Sequence, residues 1–481
     1  MKREAIDRLE REDLVLFINA CFACTGQWDY YTDARGGAVG LDFLHAYILG
    51  NYRALYARTL AAGINHFNRA AVAARLLDAG APESREDRAR EASLLRATLQ
   101  TLPTGRVYRL LETLGAWGVN NRRARAVVAS WVASREDLPR EAVLYRPRLR
   151  AILDHFHPPV PPEVARFVRE GGRRREPYEN PLFEAYRRAR TDPSALYELP
   201  FSVAEGFAAR HKVPRDVFLQ GIDPMLTPVE RLRLQRAAEE ASVDLSVDLS
   251  TLPLGRLVRY ALGPGRTLSD ETLEDALQAS VARALRRAPL ALGRCAAVLD
   301  RSHSSGGAAS AARHALAVAV GVSRLARAAA TEYRAFWTPA APEGTSELRL
   351  SPAGLTDLAT PLLDALAWRP DTVLVVSDGY ENHPPGGVDA VVGVLRAQRG
   401  DLARTSVVHL NPAFDGERLM PRTVSPRVPT VGLREPEDLA TVLGFARFAE
   451  GTGTLRELEG YLDARVQRFL ARAEGQRGAP R

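Results

Sequence analysis

Asp300, Ser302 and Ser304 stand at alternate positions in AAVLDRSHSSGG (296–307), directly after a run of small apolar residues. In an extended turn, residues two apart point the same way, so one carboxylate and two hydroxyls would face a common point. Alone, the stretch is equally an ordinary polar turn. Two later residues bear on the choice: Thr356, ahead of a helical pattern in AGLTDLATPLLDAL, and Asp378, at the end of DTVLVVSD. Carboxylates and hydroxyls are hard oxygen ligands, which suit Mg²⁺ or Mn²⁺ and not zinc. Hydrolysis at such a metal would need a base beside an activated water. Glu381 and His383, in the loop after Asp378, are the only residues placed to serve. The chain has no GxGxxG, Walker loop or nucleophile elbow, so neither a nucleotide cofactor nor an enzyme is expected.

Those residues need a scaffold, and 291–481 supplies one. CAAVLD, TEYRAFWT, ELRL, DTVLVVSD, TSVVHLN and TVGL read as strands, several of them continuously apolar. GAASAARHALAVAVGVSRLARAAA (307–330), DLATPLLDALA and VDAVVGVLRAQRG read as helices between them, with two more at the end. Alternating helices and buried strands imply a doubly wound, Rossmann-like parallel α/β sheet covered on both faces. In such sheets ligands bind at the carboxyl ends of the strands. Asp300 and Asp378 each end a strand there, with Ser302, Ser304 and Thr356 in adjoining turns.

Residues 1–290 read as helices joined by brief turns, the pattern of stacked hairpins in HEAT-like repeats, although no clean repeat period is visible. SREDRAREASLLRATLQTL (84–102), for example, opens on a serine cap with acidic residues in its first turn. Prolines at 158, 159, 161, 162, 177 and 181 interrupt the pattern and suggest an exposed crossover over 158–181. Asp154-His155-Phe156-His157 holds a His-x-His, but on a helix those rings face different ways, so a C-terminal cap is expected. Cys21 and Cys24 form a C-x-x-C inside the apolar stretch LVLFINACFACTG, which suggests a core face and not a zinc or redox pair; His314 and His409 are expected to pack in the α/β half.

Three cysteines cannot make a disulfide framework, no apolar run is long enough for a membrane span, and the N-terminus lacks a signal peptide's apolar core. A cytoplasmic protein with no membrane association is expected. The net charge is +7, and Lys2 and Lys212 are the only lysines, so arginine is the general basic residue. Its distribution is uneven. Residues 101–190 hold 18 Arg against 10 acidic residues. A basic segment on helices is either a nucleic-acid footprint or a solvated surface. If RNA binds, Arg122, Arg123, Arg125, Arg146, Arg148, Arg150, Arg173, Arg174 and Arg175 are the candidates for phosphate contacts. Tyr108, Trp117, Trp131 and Tyr145 lie among them as candidates for base stacking.

The D-x-S-x-S run at Asp300, Ser302 and Ser304, Thr356 before Asp357, and Asp378 before Gly379 resemble the metal-ion-dependent adhesion site (MIDAS) of a von Willebrand factor A (vWA) domain, in order and in strand position. The resemblance implies that the serines and Thr356 contact the metal or its waters. It implies that Asp300 and Asp378 hold the metal, Asp378 through water, and that one position stays open for an acidic group on a partner. Arg301 and His303 depart from the small residues commoner at those places. Beside the metal, both cations would weaken its binding or favour an anionic partner.

A helical half followed by a vWA domain further resembles the layout of the Ro family, whose TROVE domain is a ring of HEAT-like helices. That resemblance implies a scaffold binding misfolded or small noncoding RNA. The helical half here is shorter than that family's ring, and no TROVE motif is matched residue by residue. A rival resemblance is to bacterial vWA adaptors of MoxR-type AAA+ ATPases, in which the metal grips an acidic residue of a protein partner.

Overall fold

The structure, a computed structural model, describes residues 2–25, 34–307, 312–397, 404–415, 420–451 and 453–478. The chain divides into two compact units. One comprises residues 1–55, 62–68 and 249–464; the other comprises 56–61, 69–248 and 465–481. This division does not follow the halves 1–290 and 291–481 read from composition.

The first unit is built on five parallel strands: β1 (Leu292–Asp300), β2 (Ala330–Thr338), β3 (Thr372–Val376), β4 (Ser406–Asn411) and β5 (Thr430–Gly432). Their order is β2-β1-β3-β4-β5. Crossovers thus run in both directions from β1, which makes the sheet doubly wound. Ala296, Val298, Val373, Val375 and Val407 pack against Leu358, Leu362, Val388 and Val392, from the helices after β2 and β3 and the turn leading into the first of them. Tyr333 points to the opposite face, where its hydroxyl donates to Ser323 on the helix His314–Ala329 at 2.9 Å. Apolar side chains on both faces explain why these strands read as continuous apolar runs. ELRL, expected as a strand, is instead a 3₁₀ turn (Glu347–Arg349) held by a Ser346 cap. A four-residue stretch with one turn-forming serine before it carries too little pattern to choose between the two. The segments 308–311 and 398–400 of two expected helices lie outside the described residues.

The N-terminal helix Lys2–Ala23 belongs to this unit and packs on β5. Asn19 supplies the reason. Its side-chain amide donates to the Thr430 carbonyl at 2.8 Å and accepts from the Gly432 N–H at 2.6 Å. One side chain thereby pairs the open edge of β5, which would otherwise present free backbone groups. Gly432 is required for this approach: a Cβ there would lie 2.9 Å from the Asn19 carbonyl and 2.8 Å from the Ala23 Cβ. Cys21 and Cys24 are buried, as their apolar setting suggested. Asn65 and Asn68 close the helix end by donating to the carbonyls of Cys21 and Cys24.

The second unit is helical. Short helices, among them Arg85–Thr101, Thr104–Ala116, Arg122–Ala133 and Arg146–Phe156, pack on neighbours two or three elements along the chain. The first starts as its sequence signal indicated, with Ser84 capping through the Asp87 N–H, and Asn121 caps the third through the Ala124 N–H. His157 ends the fourth in the left-handed conformation, φ 51°, and the His155 ring bonds the Val119 carbonyl at 2.9 Å. The expected exposed crossover at 158–181 is corrected. Pro162–Glu170 is a helix that buries Val164, Phe167 and Val168, and Phe167 stacks on Phe183 at 4.1 Å. The prolines at 162 and 181 are helix starters, the first-turn role in which a missing N–H costs nothing. No described helix is long and apolar enough to cross a membrane.

Candidate metal centre

β1 and β3 are neighbours in register, Leu299 opposite Val376. Asp300 therefore stands opposite Ser377, with Asp378 one residue further on. Both carboxylates are 3 % exposed. Asp300 turns its Oδ1 to the N–H of Ser302 at 2.7 Å, which folds the D-x-S turn onto itself. The hydroxyls of Ser302 and Ser304 lie 3.0 Å apart, and that of Ser305 turns away to donate to the Ser302 carbonyl. Asp378 Oδ1 accepts the N–H of Tyr380 at 2.9 Å.

Thr356 is buried and bracketed between the two loops. Its N–H donates to Asn382 Oδ1 at 2.9 Å, and its carbonyl accepts the N–H groups of Asn382 and His383. On the other side, Ala353 N–H donates to the Arg301 carbonyl and His303 N–H donates to the Gly354 carbonyl. Backbone bonds thus stitch together the three segments that carry Asp300, Ser302, Ser304, Thr356 and Asp378. The sequence readings of these five residues meet on one rim.

Burial, and then the charge of Asp378, push the Asp300 carboxyl well above the usual carboxylate range. Two buried carboxylates facing hydroxyls make a donor set that fits a hard divalent cation. Among the described residues no group of three or more His, Cys, Asp or Glu gathers as a metal cluster. Three of the five residues at this rim offer hydroxyls, which such a grouping does not include. The Glu381 carboxylate accepts the Val388 N–H and so caps the helix Gly387–Ala397.

Arg301 does not act as the sequence suggested. The Arg301 guanidinium turns onto loop backbone, donating to the carbonyls of Pro339 (2.9 Å), Ser351 (2.8 Å) and Ala340 (3.0 Å). A planar fork of donors suits three converging carbonyls in a way an ammonium would not. Arg301 is therefore a strut that holds the 339–353 loop, and through it Thr356, against β1. His303 is exposed to solvent.

Sequence reasoning missed the residues behind and beside the rim. Asn411, at the end of β4, donates one amide group to both the Asp378 carbonyl (3.0 Å) and the Arg422 carbonyl (2.9 Å). His409 is fully buried between Thr430 and the Ser377 carbonyl. Burial lowers its imidazole to about 4. His314 is likewise buried, and burial followed by the charges of Arg434 and Arg259 depresses it. Asn411 had a weak signal, a polar residue ending an apolar strand. Arg422 had none, since its partners are brought together only by the sheet.

In the helical unit the nine arginines separate into two groups. Arg123 is held by the Gly80 and Leu76 carbonyls and by Glu91. Arg146 donates to the carbonyls of Phe167 and Arg169, Arg148 pairs with Glu112, and Arg174 pairs with Glu176. Arg122, Arg125, Arg173 and Arg175 are exposed, and Arg150 makes an exposed pair with Asp154. Tyr108 and Trp131 are core residues in edge contact, and Tyr145 stacks on Tyr108. Of these four aromatic residues, Trp117, 44 % exposed, keeps its ring at the surface.

Fold and rim together define an α/β unit with an oxygen-lined carboxyl-end rim, carried on one chain with an all-helical unit. In fold alone, the chain is similar to the crystal structure of the Deinococcus radiodurans Ro (RSR) protein. The two match with a TM-score of 0.55 at 16 % identity, over 92 % of this chain and 100 % of that one. A likeness at that identity is one of fold. No protein-family model and no curated protein matches the sequence.

Proposed function

We propose that this chain is a non-enzymatic binding scaffold of Ro-like layout with two binding surfaces. At the rim, Asp300, Ser302, Ser304, Thr356 and Asp378 would hold Mg²⁺ or Mn²⁺ in a vWA-type site, whose open position takes an acidic group of a partner. The metal would supply a fixed positive centre; the protein's part is to keep the oxygens together and the counter-cations away. In the helical unit, Arg122, Arg125, Arg150, Arg173 and Arg175 would contact RNA phosphates. The observation that carries the reading is the buried, oxygen-only donor set whose basic neighbour in sequence, Arg301, is turned onto backbone carbonyls. For the RNA role, the Ro-like layout and the exposed arginines are the support.

Calorimetry of the full chain with Mg²⁺ or Mn²⁺ tests the first part: uptake is expected and should vanish in Asp300→Ala. Titration with single-stranded RNA at several salt concentrations tests the second. Arg122→Glu with Arg125→Glu should weaken binding and flatten the salt dependence, by ~0.7 in log–log slope for each phosphate that is no longer neutralised. RNA affinity should survive Asp300→Ala. Recovery of an AAA+ ATPase, with no RNA, from the native host would favour the adaptor reading instead.

A further inference from the structure

We propose that the partner bound at the rim is an acidic peptide segment, and that Arg422 and Tyr380 read a second acidic residue on it; this rests on the metal reading above. Tyr380 follows Asp378 by two residues, donates its N–H to that carboxylate and is 43 % exposed. Over its ring, at 3.8 Å, lies the Arg422 guanidinium. Nη2 of Arg422 donates to the Tyr380 hydroxyl at 2.9 Å and to Asp415 Oδ2 at 3.1 Å. Nη1 makes no hydrogen bond among the described residues, and the side chain is 26 % exposed. A guanidinium with one outward nitrogen to offer is a ready partner for a carboxylate.

The stack is fixed relative to the candidate metal ligands. Asn411 ties the backbone of Arg422 to that of Asp378. Gly379, at φ 81°, has room for no side chain, since a Cβ would lie 2.6 Å from the Arg422 carbonyl. The loop carrying Arg422 cannot slide past the loop carrying Asp378 without disrupting this packing.

Leu355, next to Thr356, is 57 % exposed. The Arg422 loop also borders a groove of about 340 Å³, lined both by apolar residues such as Val15, Leu16, Pro421 and Phe448 and by the charged Arg11 and Glu12. A metal held at the buried rim, an adjoining guanidinium and the exposed Leu355 match a segment with two acidic residues and an apolar neighbour. RNA fits less well. Its phosphates could meet the metal and Arg422, but one face of Tyr380 is already covered by the guanidinium, and Leu355 offers nothing to a nucleotide.

Random dodecapeptides displayed on phage, panned on the full chain in Mg²⁺ and eluted with EDTA, test this. The eluted pool should be enriched in peptides with two acidic residues and an apolar neighbour. One such peptide should bind Arg422→Gln about tenfold more weakly, and Leu355→Ser more weakly too, while calorimetric Mg²⁺ uptake stays native in both. An acidic pool that binds Arg422→Gln as tightly as the native chain would overturn the role of Arg422. A pool without acidic residues, or displacement of the peptide by single-stranded RNA that itself depends on Arg422, would overturn the peptide assignment. Absence of Mg²⁺ uptake in the native chain would sink the metal reading itself, a result distinguishable from the others.

Discussion

Replacing Arg301 separates two opposite views of a cation beside a metal. If its charge simply sits near the ion, removing it should strengthen Mg²⁺ binding, since like charges repel. If Arg301 is a strut, removing it should loosen the loop that presents Thr356 and weaken Mg²⁺ binding. Arg301→Met keeps the stem and deletes three donors at 2.8–3.0 Å. Hydrogen bonds from a charged donor contribute ~1.5–3 kcal/mol each. The three carbonyls recover water when the loop opens, so a net local cost of about 3–5 kcal/mol is expected. That corresponds to a drop of roughly two to four orders of magnitude in amide-exchange protection. Ala353 and Thr356 report it directly, because their N–H groups bond the Arg301 carbonyl and Asn382. Arg301→Lys should fall between, since a single ammonium cannot reach three carbonyls in one plane. Unchanged exchange at Ala353 and Thr356 would refute the strut, and so would tighter Mg²⁺ binding in Arg301→Met.

His409 gives the first unit an acid limit. Its folded value of about 4 lies below the unfolded 6.5, so its contribution is complete above pH 6.5 and is lost as pH falls from there toward 4. The shift corresponds to about 3 kcal/mol; β4 amide protection should fall by that order across this window, and His409→Asn should remove that share of the slope. Gly432→Ala should cost about 2 kcal/mol by overpacking against Asn19 and Ala23, read as faster exchange in β5 and in Lys2–Ala23. Ala23→Gly should restore part of it, and no change in exchange would show that the helix does not seat on β5 as described.

How far the sequence could be read depended on whether a feature was local. Strand ends were legible because a buried parallel strand is a continuous apolar run that a polar residue ends, as Asp300 does in β1 and Ser377 does after β3. The helix start at Ser84 was legible because its side chain acts within three residues of itself. The crossover at 158–181 was misread because proline marks both a helix start and an exposed loop. Only the burial of Phe167 against Phe183 separates the two. The place of Lys2–Ala23 beside β5 was illegible for a different reason. Asn19 meets Thr430 more than 400 residues away, and no spacing rule connects them.

The same distinction explains Arg301. By position it is an intruder between two candidate ligands, because sequence locates a residue by its Cα and a charge is felt where the side chain ends. Arginine places its guanidinium several bonds away, and here three loop carbonyls receive it. The partial negative charge of those carbonyls offsets the cation locally, so Arg301 does not serve Asp300 as a counter-ion although the two are adjacent in the chain. A carboxylate meant for a metal needs its neighbouring cations led away, because a salt bridge would compete with the ion for the same oxygens. The strut meets that need while it also fixes the loop that presents Thr356. The two effects are separable in Arg301→Met: the loop loosens, yet no new cation reaches Asp300, so weaker Mg²⁺ binding there measures the positioning alone.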